Sequence, residues 1–519
     1  MKSRLVRFIL IFYLILLPCT GIASSALAQE TASTANFAAI DAFVESKLND
    51  ANLPGLALGI VHGDQIVHLQ GFGIADPSGR EVTPQTPFRL ASVTKSFTAL
   101  AIMQLVETGM LELDAPVQQY LPWFRVGDAD ASAHITVRHL LNQTSGFSMQ
   151  DGIRDLDAPD TGPLDAENYV RGLSNAELAY PVGEDMLYSN ANYITLGVIV
   201  ESVSGTSYER YLQENLLRPL DMQNTFMSEG EAQPHNMARG YQPFFGIQRP
   251  YEFTVRHAAL AAGGIISTAE DMAHYLKLYL NQGHYGDVSL LSPDGIAQLW
   301  QAPDDLPHEQ MLPYAMGWYV GTQFDTYVRH HWGNTVNFTA YMAVAPNEGW
   351  GVVVLVNADH PALVSPAVID VIGPGVLTML LDQPLPESLN QTGSIYYGIL
   401  IIVVLQILSL IWGLFRLHHW SLEPQRRPYG WWRVALGIVL PILLNLMFAY
   451  LFVFVLPQAI GSSLGIVLRL ATDMGIGLVL SGVIGAGWLV WGIAVFVVLR
   501  QASAPPAAMP ERLVTETIR

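Results

Sequence analysis

Ser92-Val93-Thr94-Lys95 sets a hydroxyl and an ammonium three residues apart at the head of a long apolar segment, Phe97–Leu111. On a helix beginning at Ser92 the two side chains share a face. A serine hydroxyl is a weak nucleophile until something takes its proton. A neighbouring lysine does this if burial or nearby charge favours its neutral form; as a cation it instead lowers the pKa of a third group that then acts as base. The helix N-terminus favours negative charge on the oxygen. The plain alternative is that Ser92 caps the helix and Lys95 is solvated. Tyr188-Ser189-Asn190 offers a phenol, which a nearby ammonium would bring below its usual ~10, and an amide able to donate and accept at a substrate. His331-Trp332-Gly333 stands in a strand-like run, where glycine lets another backbone approach closely. His284-Tyr285-Gly286 repeats that spacing, but in a polar turn, so the later copy is preferred. The other histidines, His418-His419 included, have no ligand-like pattern and read as structural.

These residues need a scaffold that brings distant segments together. Asn36–Asp50 reads as an amphipathic helix through Phe37, Ile40, Val44 and Leu48, and Leu56–Val61 with Gln65–Leu69 as a hairpin turning at Gly63-Asp64. Far along the chain come Gly317–Thr322, Tyr327–Trp332, Phe338–Ala345 and Trp350–Asn357, the last two joined by the turn Pro346-Asn347-Glu348-Gly349, then a helical stretch Ala362–Leu380. The pattern predicts a mixed sheet built from both ends of the region, with a helical insertion between them. Asp128–Ala133 and Asp151–Asn168 read as acidic surface loops, since their spacing does not fit a calcium loop.

The 519 residues carry a net charge of −19, unevenly spread. Residues 29–394 hold 15 Lys+Arg against 41 Asp+Glu, which argues against nucleic-acid binding. Cys19 is the sole cysteine, so an intrachain disulfide, a cysteine nucleophile and a thiolate zinc site are excluded. Residues 1–28 read as a signal peptide: Lys2, Arg4 and Arg7, then apolar Phe8–Leu17, then Ala26-Leu27-Ala28; the alternative is an uncleaved anchor. Three runs without charged residues, 395–415, 434–456 and 475–499, are each long enough to cross a bilayer. Arg416, Arg426, Arg427 and Arg433 lie between the first two, against only Arg469 and Asp473 between the last two, which sets the arginine-rich loop in the cytoplasm and the acidic domain outside. Spans without ionisable groups point to an anchor rather than a transporter. Ser481, Gly482, Gly485 and Ala486 suit close helix packing, and Pro441 suggests a kink. The expected organisation is a signal peptide (1–28), an extracytoplasmic domain (29–383), a linker (384–394) and a membrane region (395–519).

At its three motifs the chain resembles the penicillin-recognising serine hydrolases, in particular the class C β-lactamase-like branch, whose elements S-x-x-K, Y-x-N and K-T-G or H-x-G come in this order. The similarity extends to Phe88-Arg89-Leu90-Ala91 before the serine, Leu113-Asp114-Ala115-Pro116-Val117, Tyr120-Leu121-Pro122, the run Ile135-Thr136-Val137-Arg138-His139-Leu140-Leu141-Asn142-Gln143-Thr144-Ser145-Gly146, and Gly263-Gly264-Ile265-Ile266-Ser267-Thr268-Ala269-Glu270-Asp271. It covers roughly residues 36–380. The resemblance implies an α+β fold, an antiparallel sheet flanked by helices plus a mainly helical lobe, here followed by three transmembrane helices. It implies that Ser92 is acylated, that Lys95 and Tyr188 move its proton, and that Asn190, His331 and Gly333 line the substrate. The backbone N–H groups of Ser92 and, by position, Asn334 would form an oxyanion hole, such donors being worth ~3 kcal/mol each. Water then releases the acyl group, so no metal or other cofactor is called for.

Two departures bear on substrate. His331 replaces the lysine of many relatives, a permanent cation that helps bind a substrate carboxylate, and Trp332 replaces a Thr or Ser hydroxyl. Both weaken the case for efficient β-lactam hydrolysis. The expected substrate is an amide or ester, foremost a peptide containing D-amino acids, with esterase and weak β-lactamase as rivals. A reading of another class is a sensor that is acylated and turns over slowly. The expected partners are a small-molecule or peptide substrate and the lipid bilayer, with no nucleic acid; protein partners are not indicated.

Overall fold

A computed structural model describes residues 35–157, 165–303, 313–323, 326–385, 391–422, 431–459 and 463–501. The expected signal peptide lies outside them. Helix α1 (Phe37–Asp50) has Ile40, Val44 and Leu48 buried. The β-branched and aromatic runs from the two ends of the region 36–380 then form one sheet. Its strands are β1 (Gly55–His62), β2 (Gln65–Gly73), β9 (Tyr314–Ala315), β10 (Trp318–Gln323), β11 (Thr326–Thr335), β12 (Phe338–Ala345) and β13 (Trp350–Val356), in the order β2-β1-β13-β12-β11-β10-β9. Three two-stranded pieces accompany it: β3 (Phe88–Arg89) with β6 (Ile266–Ser267), β4 (Tyr241–Phe244) with β5 (Ile247–Pro250), and β7 (His284–Tyr285) with β8 (Val288–Ser289).

Every pairing in the large sheet is antiparallel, which corrects the mixed sheet expected from patterning. The physical reason is connectivity. Hairpins link β1–β2 and β9 through β13, and the two ends meet as β1 against β13, from Leu56↔Val356 to His62↔Trp350, with no crossover helix to impose a parallel neighbour. β13 is buried on both faces, under α5 (Ala269–Leu280) on one and Gly373–Leu380 on the other.

The helical lobe centres on α2 (Thr94–Glu107), almost wholly buried and packed on α4 (Asn190–Ser204). It ends at Glu107 rather than running on to Leu111. The acidic segments expected as loops contain helices: Ala129–His134, capped by the Asp128 carboxylate, and α3 (Met149–Asp157). Short polar side chains at N-caps made these stretches resemble loops. The final apolar stretch is helical from Ala367.

Among the described residues, three helices are long and apolar enough to cross a membrane: Gly393–Leu422, Trp431–Ala459 and Thr472–Val498. Glycines of the third meet the second closely, an added Cβ at Gly485 falling 2.7 Å from Ala449 and one at Gly482 3.0 Å from Val453. The Trp491 indole donates to Gly413 O of the first helix at 2.6 Å. The second helix widens into π-type turns at Ala435–Val439, just before Pro441, and again at Leu451–Val455. Asp473, one of the two charges between the last two apolar runs, is fully buried in the first turn of the third helix.

Candidate active site

The chain enters the site through β3. Ala91 takes a left-handed backbone (φ 47°), Ser92 sits in the short 3-10 turn Ala91–Val93, and α2 begins at Thr94. Ser92 is therefore not a side-chain N-cap, and the turn leaves it partly exposed while its neighbours are buried. A non-glycine residue at positive φ is uncommon and here adjoins the hydroxyl singled out from sequence. Lys95 follows one turn on with no exposed surface. Its Nζ lies 3.0 Å from Ser92 Oγ and donates to Asn190 Oδ1 and to the Ala262 carbonyl, each at 2.7 Å.

That set of partners bears on the charge of Lys95. Burial pushes its pKa well below the usual lysine value, with no compensating carboxylate. As an ammonium Nζ donates to all three oxygens; once neutral it keeps two hydrogens for the two carbonyl-type acceptors and has one lone pair for Ser92 Oγ. Asn190 is oriented to present its oxygen, because its Nδ2 donates to Gly152 O of α3 at 3.4 Å.

Tyr188 precedes α4, with its ring centroid 4.8 Å from Lys95 Nζ. Here the sequence expectation reverses. Burial raises the phenol pKa well above its usual value, and a hydrogen bond from Ser92 offsets only part of this. Burial outweighs the lowering expected from the nearby Lys95, whose own pKa the same burial pushes down.

Placement of Tyr188-Ser189-Asn190 depends on Gln143, itself at φ 61°. The Gln143 carbonyl accepts from Leu187 N at 2.9 Å, and its side-chain Oε1 accepts from Ser189 N at 3.0 Å and Asn192 Nδ2 at 2.5 Å. Ser189 Oγ donates to Ser148 O at 2.7 Å. The sequence showed Gln143 only as part of a family-like run; its partners lie more than forty residues away, so their contact was not readable.

β11 supplies the third motif. His331 is buried, its Nδ1–H donating to Trp332 O at 2.6 Å and its Nε2 accepting from the Tyr314 hydroxyl at 3.3 Å. Burial first, and Lys95 second, lower its pKa to about 3, so the imidazole is neutral. Trp332 stacks on Tyr319 with centroids 4.3 Å apart. Gly333 explains itself by contact: a Cβ there would lie 2.1 Å from Leu90 O and 2.9 Å from Ser92 N. The strand backbone thus touches the segment carrying Ser92. β10 pairs with β11 only as far as Tyr319↔His330, and no described strand pairs with residues 332–335 on that side.

Asn334 is exposed, and its side-chain amide donates to Asp359 Oδ1 (3.1 Å) and Ser365 Oγ (2.9 Å). Asp359, its pKa raised to about 6 by burial, was missed from sequence, as was the Ala262 carbonyl. The competing His284 lies in the β7–β8 hairpin beside α5, apart from this constellation. Among the described residues no group of three or more His, Cys, Asp or Glu could hold a metal ion. The arrangement brings a hydroxyl, a buried amine of lowered pKa, a phenol and a free strand edge together, which is suited to nucleophilic attack on a carbonyl.

A family model for beta-lactamase matches residues 40–371. The chain is 30% identical over 322 residues to Protein flp of Staphylococcus aureus strain MW2, covering 61% of this chain and 62% of that protein. It is 34% identical over 229 residues to esterase EstB of Burkholderia gladioli, covering 42% of this chain and 57% of the esterase. The chain thus spans somewhat under two thirds of the length of these curated relatives. A similar solved structure is the octameric penicillin-binding protein homologue from Pyrococcus abyssi, with TM-score 0.58 and 27% identity over 67% of this chain and 78% of that one. The matched region contains all the strands described above and the whole constellation around Ser92, and the chain belongs to the beta-lactamase family.

Proposed function

We propose that the protein is a membrane-anchored serine hydrolase that cleaves an amide or ester through an acyl-serine. The observation that carries this reading is the buried Lys95 amine, 3.0 Å from Ser92 Oγ and held by two acceptors at 2.7 Å. Ser92 Oγ attacks the carbonyl carbon while its proton passes to Lys95 Nζ. The backbone N–H groups of Ser92 and Asn334 hold the oxyanion. The proton then goes to the leaving nitrogen or oxygen, relayed by the Tyr188 hydroxyl, as the carbonyl–heteroatom bond breaks. Water repeats the sequence on the acyl-enzyme and frees Ser92.

The free edge of β11 beyond His330 favours an extended peptide, whose backbone can pair there as an added strand. A peptide is therefore our leading substrate class, and its D-amino-acid content is carried over from the family resemblance alone. The neutral His331 supplies no cation for a terminal carboxylate, which favours D-aminopeptidase-like cleavage over D,D-carboxypeptidase action. The same neutrality, with the stacked Trp332–Tyr319 pair, supports a second reading, hydrolysis of short-chain esters. The three apolar helices support a membrane anchor, and the arginine-rich connection between the first two supports a domain outside the cytoplasm. Full-length protein in nanodiscs, given a D-Ala peptide amide, a D-Ala-D-Ala peptide, a short-chain ester and a cephalosporin, tests the reading. Turnover of the amide or the ester is expected to lead. Turnover of none, or stable acylation without release, contradicts it.

A further inference from the structure

The β4–β5 hairpin is not used by the proposed chemistry, and it has an unusual tip. Phe244 pairs with Ile247, leaving Phe245-Gly246 as a two-residue turn with both residues at positive φ, 52° and 81°. Such turns favour Asn-Gly, because a bulky aromatic residue is strained in the left-handed region. Phe245 is nevertheless 44% exposed and Ile247 61% exposed. Burial within the protein therefore does not account for this strained aromatic.

Its neighbours indicate what does. Phe245 N–H donates to Asp473 Oδ2 at 2.8 Å, in the first turn of the third membrane helix. Asp473 also accepts from the Tyr396 hydroxyl of the first membrane helix and lies 3.2 Å from His360 Nε2. Gln242 of β4 donates to Leu470 O at 2.8 Å and accepts from Thr472 Oγ1 at 3.2 Å. The Tyr397 hydroxyl lies 3.6 Å from where a Gly246 Cβ would sit. The tip is thus level with the starts of two membrane helices, beside exposed Ile395 and Tyr397, in the zone where aromatic residues gather at a bilayer surface. Arg249 lies over the Phe244 ring at 5.1 Å, a cation available to lipid phosphates.

We propose that the tip Phe244-Phe245-Gly246-Ile247 is a second membrane contact, made by the catalytic domain itself and inserted among the lipid headgroups and upper acyl chains beside the helices. The base of the hairpin reaches the site: Gln242 Nε2 donates to Val336 O at 3.2 Å and Asn337 Nδ2 to Tyr251 O at 2.9 Å, both at the β11–β12 turn that follows Asn334. Lipid contact at the tip therefore holds the active-site strand at a set height above the bilayer, where substrates presented at the membrane surface meet it.

The inference rests on reading the three apolar helices as membrane spans, and the test separates the two. Full-length protein in a Cys19→Ser background carries one environment-sensitive fluorophore at Phe245→Cys, Ile247→Cys, Val490→Cys (a lipid-facing control, 67% exposed) or Asp287→Cys (an exposed control on the β7–β8 turn). Each is placed in nanodiscs of phosphatidylcholine and phosphatidylglycerol, with or without a nitroxide near the headgroup end of the acyl chains. Strong nitroxide quenching at 245 and 247, comparable to that at 490 and absent at 287, is the expected result. Quenching at 490 but not at 245 or 247 overturns the inference and leaves the spans standing; a blue-shifted but unquenched tip, as under a second protein, does the same. No quenching at 490 overturns both. Ile247→Cys guards against misfolding at position 245, since Ile247 is largely free of packing.

Discussion

Gly333→Ala is the substitution whose consequence is most tightly set by geometry. The added Cβ would lie 2.1 Å from Leu90 O and 2.9 Å from Ser92 N, where real Cβ contacts essentially never fall below 3.0 Å. Both atoms are backbone, so no side-chain rotation relieves the clash, and β11 and the Ser92 segment must separate by at least about 0.9 Å. These two segments carry the N–H groups assigned to the oxyanion. A misplacement of roughly 1 Å costs on the order of 10²-fold, and loss of one oxyanion donor 10²–10³-fold. We expect kcat/KM for a chromogenic short-chain ester to fall by about 10²–10³, or roughly 3–4 kcal/mol in the transition state. The fall should be mainly in kcat, since the donors act on charge that develops during reaction. The overpacking should also destabilise the fold by about 1–3 kcal/mol, read by urea unfolding at a temperature where the variant stays folded. A folded Gly333→Ala protein with kcat/KM within about threefold of wild type would refute both the packing argument and the oxyanion assignment.

Lys95→Arg keeps a cation but cannot supply a neutral base at ordinary pH, so it should lose about 10²–10⁴ in acylation rate, as much as Lys95→Met. Single-turnover ester kinetics check this, and substantial activity in the Arg variant would mean that the charge, not the lone pair, matters. For wild type the acylation rate should rise with pH and level off well below the usual lysine pKa, because burial lowers that of Lys95. His331 has a folded pKa of about 3 against roughly 6.5 when unfolded, so between those values only the unfolded chain binds the proton. Its contribution to stability is therefore present above about 6.5 and is lost as pH falls. Relative to His331→Gln, wild type should lose roughly 2 kcal/mol of unfolding free energy from pH 6 to pH 4. His330, with pKa about 4, and Asp359, about 6, are common to both proteins and drop out of that difference. Denaturant titrations at the two pH values measure it, and parallel acid sensitivity would contradict a buried neutral imidazole.

Local chemistry was legible in the sequence where residues three apart or alternating along a strand carried it. Ser92 and Lys95 share one turn, and β12 and β13 begin where their apolar runs begin. What escaped depends on distant contacts or on burial. Gln143 grips the Tyr188 segment from more than forty residues away. Asp473 entered only as one of two charges between the last two apolar runs, because its partners, His360 and Tyr396, lie 113 and 77 residues away. The β4–β5 hairpin was hidden by Pro243 and Pro250, which weaken any strand signal. Patterning alone suggested a mixed sheet because it carries no strand direction, whereas the family resemblance implied the antiparallel sheet that is found. The phenol pKa was expected to fall because proximity to lysine was visible and the desolvation of both groups was not.

The central claim is that the Ser92 hydroxyl is the nucleophile, activated by Lys95. Full-length protein exposed to a fluorophosphonate and analysed by intact-mass and peptide mass spectrometry tests it directly. The account predicts one stoichiometric adduct on the peptide containing Ser92, absent from Ser92→Ala and strongly slowed in Lys95→Met. An adduct mapped to another residue, or none on protein shown to be folded, would contradict it.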